Sequence, residues 1–321
     1  KTRLALQAAA DLFAVFPDGV FFVPLDQVVD PALVAFAVSQ ALALELSGSQ
    51  PAEDELIAHL RTRRTLLVLD NFEHLLPAAP FVSKLLASSP QLKILVTSRE
   101  VLHLRGEREF PVSPLPLPDL RHPSSPERMA QYASVALFIQ RAQAARPEFA
   151  VDSYNAAAVA EICAFLDGLP LAIELAAARV RLFPPQVLLA RLKAHPASQL
   201  LSTGPRDLPE RQRTYQKALE WSYNLLNAED QALFRSLGVF AGRITPEAVE
   251  AVCYPLCKHS GDAFEALASL AEKSLLRPLE TTSGEVSFSM LFVLRQFALG
   301  LLEQTGELPA YRLAHATFYL A

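Results

Sequence analysis

The sequence predicts an α/β domain built on a parallel β-sheet, followed by an all-α helical domain and then a winged-helix domain. Three observations predict this. Uninterrupted apolar runs at Val20 to Leu25, Thr65 to Asp70 and Leu92 to Thr97 alternate with helical patterns in the first third of the chain, and strands apolar on both faces belong to parallel sheets covered on both sides. Six prolines, at 111, 114, 116, 118, 123 and 126, then forbid helix and favour an extended linker. Beyond them the pattern is helical until a hairpin and a closing helix, the order of a winged helix.

The elements follow in turn. Thr2 to Phe16 reads as a helix rich in Ala and Leu. After the Val20 strand a helix starts at Asp30-Pro31, where Asp caps and Pro sits in the first turn. A helix around Pro80 to Ala87 separates the second and third strands, and Glu109 to Val112 is expected to add an edge strand. Helices are expected at Met129 to Ala145, Asn155 to Leu166, Pro170 to Arg181 and Pro185 to Ala194, with a break at Thr203-Gly204-Pro205. Four more, Thr214 to Leu225, Ala228 to Leu237, Pro246 to Cys253 and Asp262 to Lys273, precede a hairpin of Ser274 to Leu279 with Val286 to Met290 and a helix from Leu294 to Gln304. The expected domains are 1–112 (α/β), 113–126 (linker), 127–203 (helical) and 204–305 (winged helix), with 306–321 opening a further helical region. The linker is read as a plain connector, with a PxxP ligand as the alternative.

At 321 residues with 51% hydrophobic and 20% charged residues, the chain has ample material for a packed core. A net charge of −5 argues against a chain dominated by nucleic-acid binding. Three cysteines give no disulfide framework, which fits a reducing, cytoplasmic setting. Cys253, Cys257 and His259 lack a nearby fourth ligand and are read as thiols and an imidazole rather than a zinc site. No apolar run reaches the length of a membrane span, and no signal peptide is expected. Lys1 is not Met and the last helix has no stop signal, so both ends are read as cut.

Chemistry concentrates where strands end. TLLVLD finishes in Asp70 at the carboxyl edge of the sheet, where open α/β folds bind ligands, and a carboxylate there suits Mg²⁺ beside phosphates. LKILVT runs into Ser98 and Arg99, and Lys1-Thr2 opens an apolar helix. Each has a bland alternative: Asp70 a helix cap, Arg99 a surface cation, Lys1-Thr2 an ordinary helix start. Together a phosphate lysine, a magnesium carboxylate and an arginine are the set a P-loop nucleotidase requires.

The ordered motifs KTRLALQAAADL, LLVLDNFEHLL, ILVTSRE and DGLPLAIELAAAR, continued by LNAEDQALFRSLGVFAG and LASLAEKSLLR, resemble the signal-transduction ATPases with numerous domains, the STAND (NB-ARC-like) class. More narrowly they resemble bacterial large LuxR-type and antibiotic-pathway-regulator-type transcriptional regulators. The resemblance covers nearly the whole chain and implies a P-loop NTPase domain whose first strand and loop glycines precede Lys1. It implies that Lys1 contacts the β- and γ-phosphates, that Thr2 and Asp70 hold Mg²⁺, that Arg99 senses the γ-phosphate, and that Gly168 and Pro170, in the GLPL motif, lie near adenine. An ADP-bound closed monomer bridging the first two domains, an ATP-bound self-associating form and slow hydrolysis follow from the same resemblance.

Three departures qualify it. With its central strand missing, the sheet should show a gap or an unpaired edge between the Leu92 strand and the last strand. Asn71 stands where many relatives carry a second acid, and an amide cannot take a proton from water. Glu73 is the alternative base, against a reading of Glu73 and His74 as a solvated helix start. Met290-Leu291-Phe292 replaces the family's Met-His-Asp, so Leu291 cannot bond a phosphate.

Residues 206–321 carry eleven Lys or Arg and fourteen Asp or Glu, a net of 11 − 14 = −3, and DAFEALASLAEK is a poor match for a phosphate backbone. DNA binding is therefore expected only through a domain outside this chain. Two other classes stay open: a nucleotide-independent helical adaptor and a P-loop phosphotransferase. The enzymatic expectation is at most a slow ATPase.

Overall fold

The computed structural model describes residues 1–48, 50–121, 125–194, 215–257, 261–279 and 286–320. These fall into two compact units, Lys1–Val112 and Ser113–Ala321.

The first unit runs α1 (Thr2–Asp11), β1 (Val20–Pro24), α2 (Val34–Ala41), α3 (Ala52–Leu60), β2 (Leu66–Asp70), α4 (Ala79–Ser88) and β3 (Lys93–Thr97). The strands form a parallel sheet in the order β1-β2-β3. Every residue of the central strand β2 is buried, and the pleat divides its side chains between two cores. Leu66 and Val68 meet Ala5 and Ala9 of α1, whose small side chains let the helix lie close to the sheet. Leu67 and Leu69 pack on the opposite side with Val34 and Val38 of α2, Leu56 and Leu60 of α3, and Val82 and Leu85 of α4. Each such buried Leu or Val is worth about 1.5–3 kcal/mol. This double cover is why the strand reads as a continuous apolar run. Asp30 accepts from the Ala32 N–H ahead of Pro31, the expected cap, although the turn it starts is 3₁₀ (Pro31–Leu33) before α2 begins.

Register aligns Pro24, Asp70 and Thr97 at the carboxyl edge of the sheet. β3 pairs with β2 alone among the described residues, so its outer edge is unpaired, as the sequence leads one to expect. The edge strand expected at Glu109 to Val112 does not form. Pro111 has no N–H to donate to a ladder, and Phe110 is 80% exposed rather than packed against the sheet.

The second unit comprises α5 (Pro126–Met129), α6 (Ala133–Ala145), α7 (Ala156–Phe165), α8 (Pro170–Ala178), α9 (Pro185–Ala194), α10 (Tyr215–Asn224) and α11 (Ala228–Ser236). It continues with β4 (Arg243–Ile244), α12 (Pro246–Val252), α13 (Tyr254–Cys257), α14 (Ala263–Glu272), β5 (Arg277–Leu279), β6 (Ser287–Ser289), α15 (Phe292–Gln304) and α16 (Leu308–Leu320). One hydrophobic core runs from Val135 and Phe138 of α6 to Leu302 of α15 and Tyr311 of α16. The hairpin strands β5 and β6 pair antiparallel, and β4 adds to β6, giving the order β4-β6-β5 of a winged-helix sheet. The proline-rich segment is not a loose tether along its whole length. Leu115 packs against this core, its N–H donates to the Gly168 carbonyl at 2.9 Å, and Ser134 Oγ donates to the Pro116 carbonyl at 2.7 Å.

The break at Thr203-Gly204-Pro205, the boundary at 203/204, His259 and the hairpin turn lie outside the described residues. Among the described residues no helix is long and apolar enough to cross a membrane.

Candidate functional site

The sheet edge concentrates polar chemistry at the tips of β2 and β3. Asp70, 6% exposed, ends β2. Its Oδ1 accepts from Thr97 Oγ1 at 2.6 Å, and the same hydroxyl accepts the Asn71 N–H at 3.0 Å. One threonine thus fixes both the carboxylate and the turn that follows it. The helix-cap reading of Asp70 is not what the structure shows: its bond runs to the neighbouring strand. Asn71 takes a left-handed conformation (φ 68°), which Asn tolerates better than most residues. Its Nδ2 donates to His74 Nδ1 at 3.3 Å, while His74 Nε2 donates to the Val28 carbonyl at 2.8 Å. The carbonyl can only accept, so the ring carries its proton on Nε2.

Glu73 and His74 do not form a solvated helix start. The 3₁₀ turn Phe72–His74 is anchored by fully buried Phe72, and Glu73 is itself buried. A buried carboxylate needs a charged partner, and Arg99 supplies it: Arg99 Nε lies 3.4 Å from Glu73 Oε1. Arg99 is therefore not a bare surface cation. Lys1 completes the cluster by donating from Nζ to the Ser98 carbonyl at 2.6 Å. Burial pulls the Lys1 ammonium below its ordinary pKa, Glu73 opposes that shift and Arg99 adds to it. The structure brings Lys1, Asp70, Thr97, Arg99 and Glu73 to one edge. Thr2 stands beside them as the first residue of α1, with Lys1 at the cap position.

Sequence reasoning passed over Thr97. Its signal is a hydroxyl in the last register position of an apolar strand, facing the carboxylate one strand over. The sequence offers Glu73 as an alternative base or as part of a solvated helix start, and its pairing with Arg99 escapes it because that partner lies 26 residues downstream.

The donor set at this edge is oxygen: the Asp70 carboxylate and the Thr2 and Thr97 hydroxyls. Such hard donors with a single carboxylate fit Mg²⁺, which keeps several waters and shares its remaining positions with phosphate oxygens.

Gly168 and Pro170 belong to the second unit. Gly168 (φ +67°) is buried in the turn between α7 and α8, and its N–H closes the end of α7 onto the Cys163 carbonyl. A Cβ there would fall 2.3 Å from the Leu115 carbonyl oxygen, so the junction excludes any side chain. Pro170 is exposed at the first position of α8. Just before them, Asp167 Oδ2 accepts from the Val293 N–H at 3.2 Å and caps α15 across 126 residues. Phe165 and Phe292 pack nearby as a tilted pair, with centroids 4.5 Å apart and ring planes at 59°. Met290 and Leu291 pack against the core here, with Leu291 at the cap position of α15.

Comparison with known proteins sets these features in a family. A profile of the winged helix-turn-helix domain matches residues 226–303. A Mycobacterium tuberculosis protein described as "Putative HTH-type transcriptional regulator" is 36% identical over 322 residues, covering 100% of this chain and 34% of its own length. The chain thus spans about a third of that relative. An uncharacterized protein of the same organism is 35% identical over 314 residues, covering 97% of this chain and 75% of itself. Among solved structures the chain is similar to the STAND protein with a tetratricopeptide repeat sensor of Pyrococcus horikoshii (15% identity, 96% of this chain and 40% of that one, TM-score 0.30). It is also similar to the ORC2 protein of Aeropyrum pernix (12%, 100% and 83%, TM-score 0.44). With 35% identity over 97% of this chain and 75% of the relative, the chain belongs to the family of these mycobacterial proteins, and it carries a winged helix-turn-helix domain behind its parallel-sheet unit.

Proposed function

We propose that this chain is the nucleotide-reading switch core of a multidomain, cytoplasmic transcriptional regulator. ATP and ADP are the ligands, Lys1 binds the β- and γ-phosphates, and Arg99 distinguishes the two nucleotides. Thr2 and Asp70 hold Mg²⁺, which supplies charge neutralisation between phosphates when bound. The observation that carries this reading is the convergence of Lys1, Asp70 and Arg99 on one edge of a parallel sheet, the place where open α/β folds take ligands.

The chain's own residues then divide the work. Thr97 fixes the Asp70 carboxylate, so its orientation is set before any ligand arrives. Asn71 turns the chain and commits its amide to His74, so it offers no base for an attacking water. Hydrolysis is correspondingly slow, which suits a switch that dwells in each state. Self-association in the ATP state is part of the same proposal. For the second unit, the role is limited to an exposed proline on a rigid glycine junction, a surface suited to the apolar face of adenine.

The winged helix carries little to attract DNA by charge. α14 spans AFEALASLAE, with two acids and no base, and phosphate neutralisation dominates nonspecific affinity. DNA recognition is assigned to a domain outside this chain.

The test is direct. In the full-length protein, Arg99→Ala removes the discrimination between ATP and ADP while leaving ADP affinity in place. Unchanged relative affinities, read by competition against a fluorescent nucleotide, remove Arg99 from the role.

A further inference from the structure

We propose that Glu73 is a positioning residue that holds the Arg99 guanidinium ready for a terminal phosphate, and so sets how strongly the site prefers ATP over ADP. The inference rests on the switch reading above and deepens it.

Three observations carry it. Glu73 lies on a turn pinned by Phe72, and its side chain is only 5% exposed, so its carboxylate is held rather than mobile. It engages Arg99 through Nε at 3.4 Å, on one edge of the planar fork. A guanidinium has five donors in fixed geometry, so fixing one edge fixes where the others point. Arg99 itself is 34% exposed, within reach of a ligand at the sheet edge while tethered from beneath. Arginine loses substantial rotamer freedom on binding, and a tether that removes it beforehand strengthens every later contact. ADP lacks the group Arg99 reads, and its affinity should be indifferent to the tether.

Two variants in the full-length protein test this, Glu73→Ala and the isosteric Glu73→Gln, each with and without Arg99→Ala. ATP and ADP affinities are measured by calorimetry in Mg²⁺, and unfolding is followed in parallel. Glu73→Ala should lower the ATP preference about five- to tenfold, a modest coupling by usual standards, with ADP affinity unchanged. Glu73→Gln keeps an acceptor but not the charge, and should fall between Ala and wild type. In the Arg99→Ala background neither should change the preference further, because Glu73 sets the preference through Arg99. A purely structural role would lower both affinities together with stability. A competing role would raise ATP affinity when the charge is removed. Either result overturns the inference, as does an unchanged preference in Glu73→Gln if Glu73→Ala fails to fold. Absence of any nucleotide binding by wild type overturns the switch reading and this inference with it.

Discussion

Asp167→Asn is a substitution whose effect changes with pH in a direction the structure fixes. Asp167 caps α15 through Val293 N–H, yet burial pushes its pKa from 3.8 up to about 6, against the opposing pull of the two backbone N–H groups and of Arg277. An acid with a raised folded-state pKa binds its proton more tightly when folded. Its contribution is therefore fully present below about pH 4 and is lost as pH rises through about 6. Two pKa units correspond to about 3 kcal/mol, and partial solvent access reduces this to about 1–2 kcal/mol. An amide keeps the acceptor for Val293, tolerates the left-handed backbone at this position (φ 53°), and cannot ionise. At about pH 7.5 the Asn variant should be more stable by about 1 kcal/mol, a rise in Tm of about 2–4 °C for a unit of this size. Near pH 4.5 the gain should shrink towards zero. Thermal and urea unfolding by circular dichroism across this range give the comparison. Parallel stability curves, or an Asn variant weaker than wild type above pH 7, would refute the assignment of a buried, destabilised carboxylate to this cap.

Two further substitutions probe the junction and the sheet edge. Gly168→Ala forces a side chain into a positive-φ position 2.3 Å from the Leu115 carbonyl oxygen, so a loss of about 2 kcal/mol or more is expected in urea unfolding; a neutral variant contradicts the packing described. Thr97→Val removes the hydroxyl shared by Asp70 and the Asn71 N–H, leaving both without this partner. It should cost about 1–3 kcal/mol and weaken Mg²⁺-dependent nucleotide affinity, while Thr97→Ser restores both; equal behaviour of Val and Ser would show that the hydroxyl is idle.

Much of the fold is legible because its cause is local. Both faces of β2 are covered, so TLLVLD reads as a strand without knowledge of its neighbours, and the observed limits differ from the expected ones by a residue. Asp30-Pro31 marks a turn start for the same reason: cap and constrained φ act within three residues. What escapes notice has non-local causes. β4 is two residues long and is a strand only because β6 lies beside it. α3 has its acids in the first turn, which favours a helix there, but it is short and follows a polar loop, and the sequence reading does not anticipate it. Glu109 to Val112 has strand-like residues, but Pro111 withholds a donor, and no partner edge compensates. At the site, Asp70 and Arg99 are legible as polar groups ending apolar strands. Glu73 is not: a charged residue after a strand ordinarily faces water, and Arg99, brought alongside by β3, helps make its burial tolerable. The Asp167 cap on α15 spans 126 residues and has no sequence signature.

The central claim is that the edge formed by Lys1, Asp70 and Arg99 receives a magnesium-bound polyphosphate. Equilibrium binding of ATP and ADP to the full-length protein, with and without Mg²⁺ and with Asp70→Ala alongside, tests it most directly. The account predicts that wild type binds both nucleotides, that ATP binding strengthens with Mg²⁺, and that Asp70→Ala abolishes the Mg²⁺ dependence. Magnesium-independent affinity that survives Asp70→Ala unchanged, or no binding of either nucleotide, would contradict it.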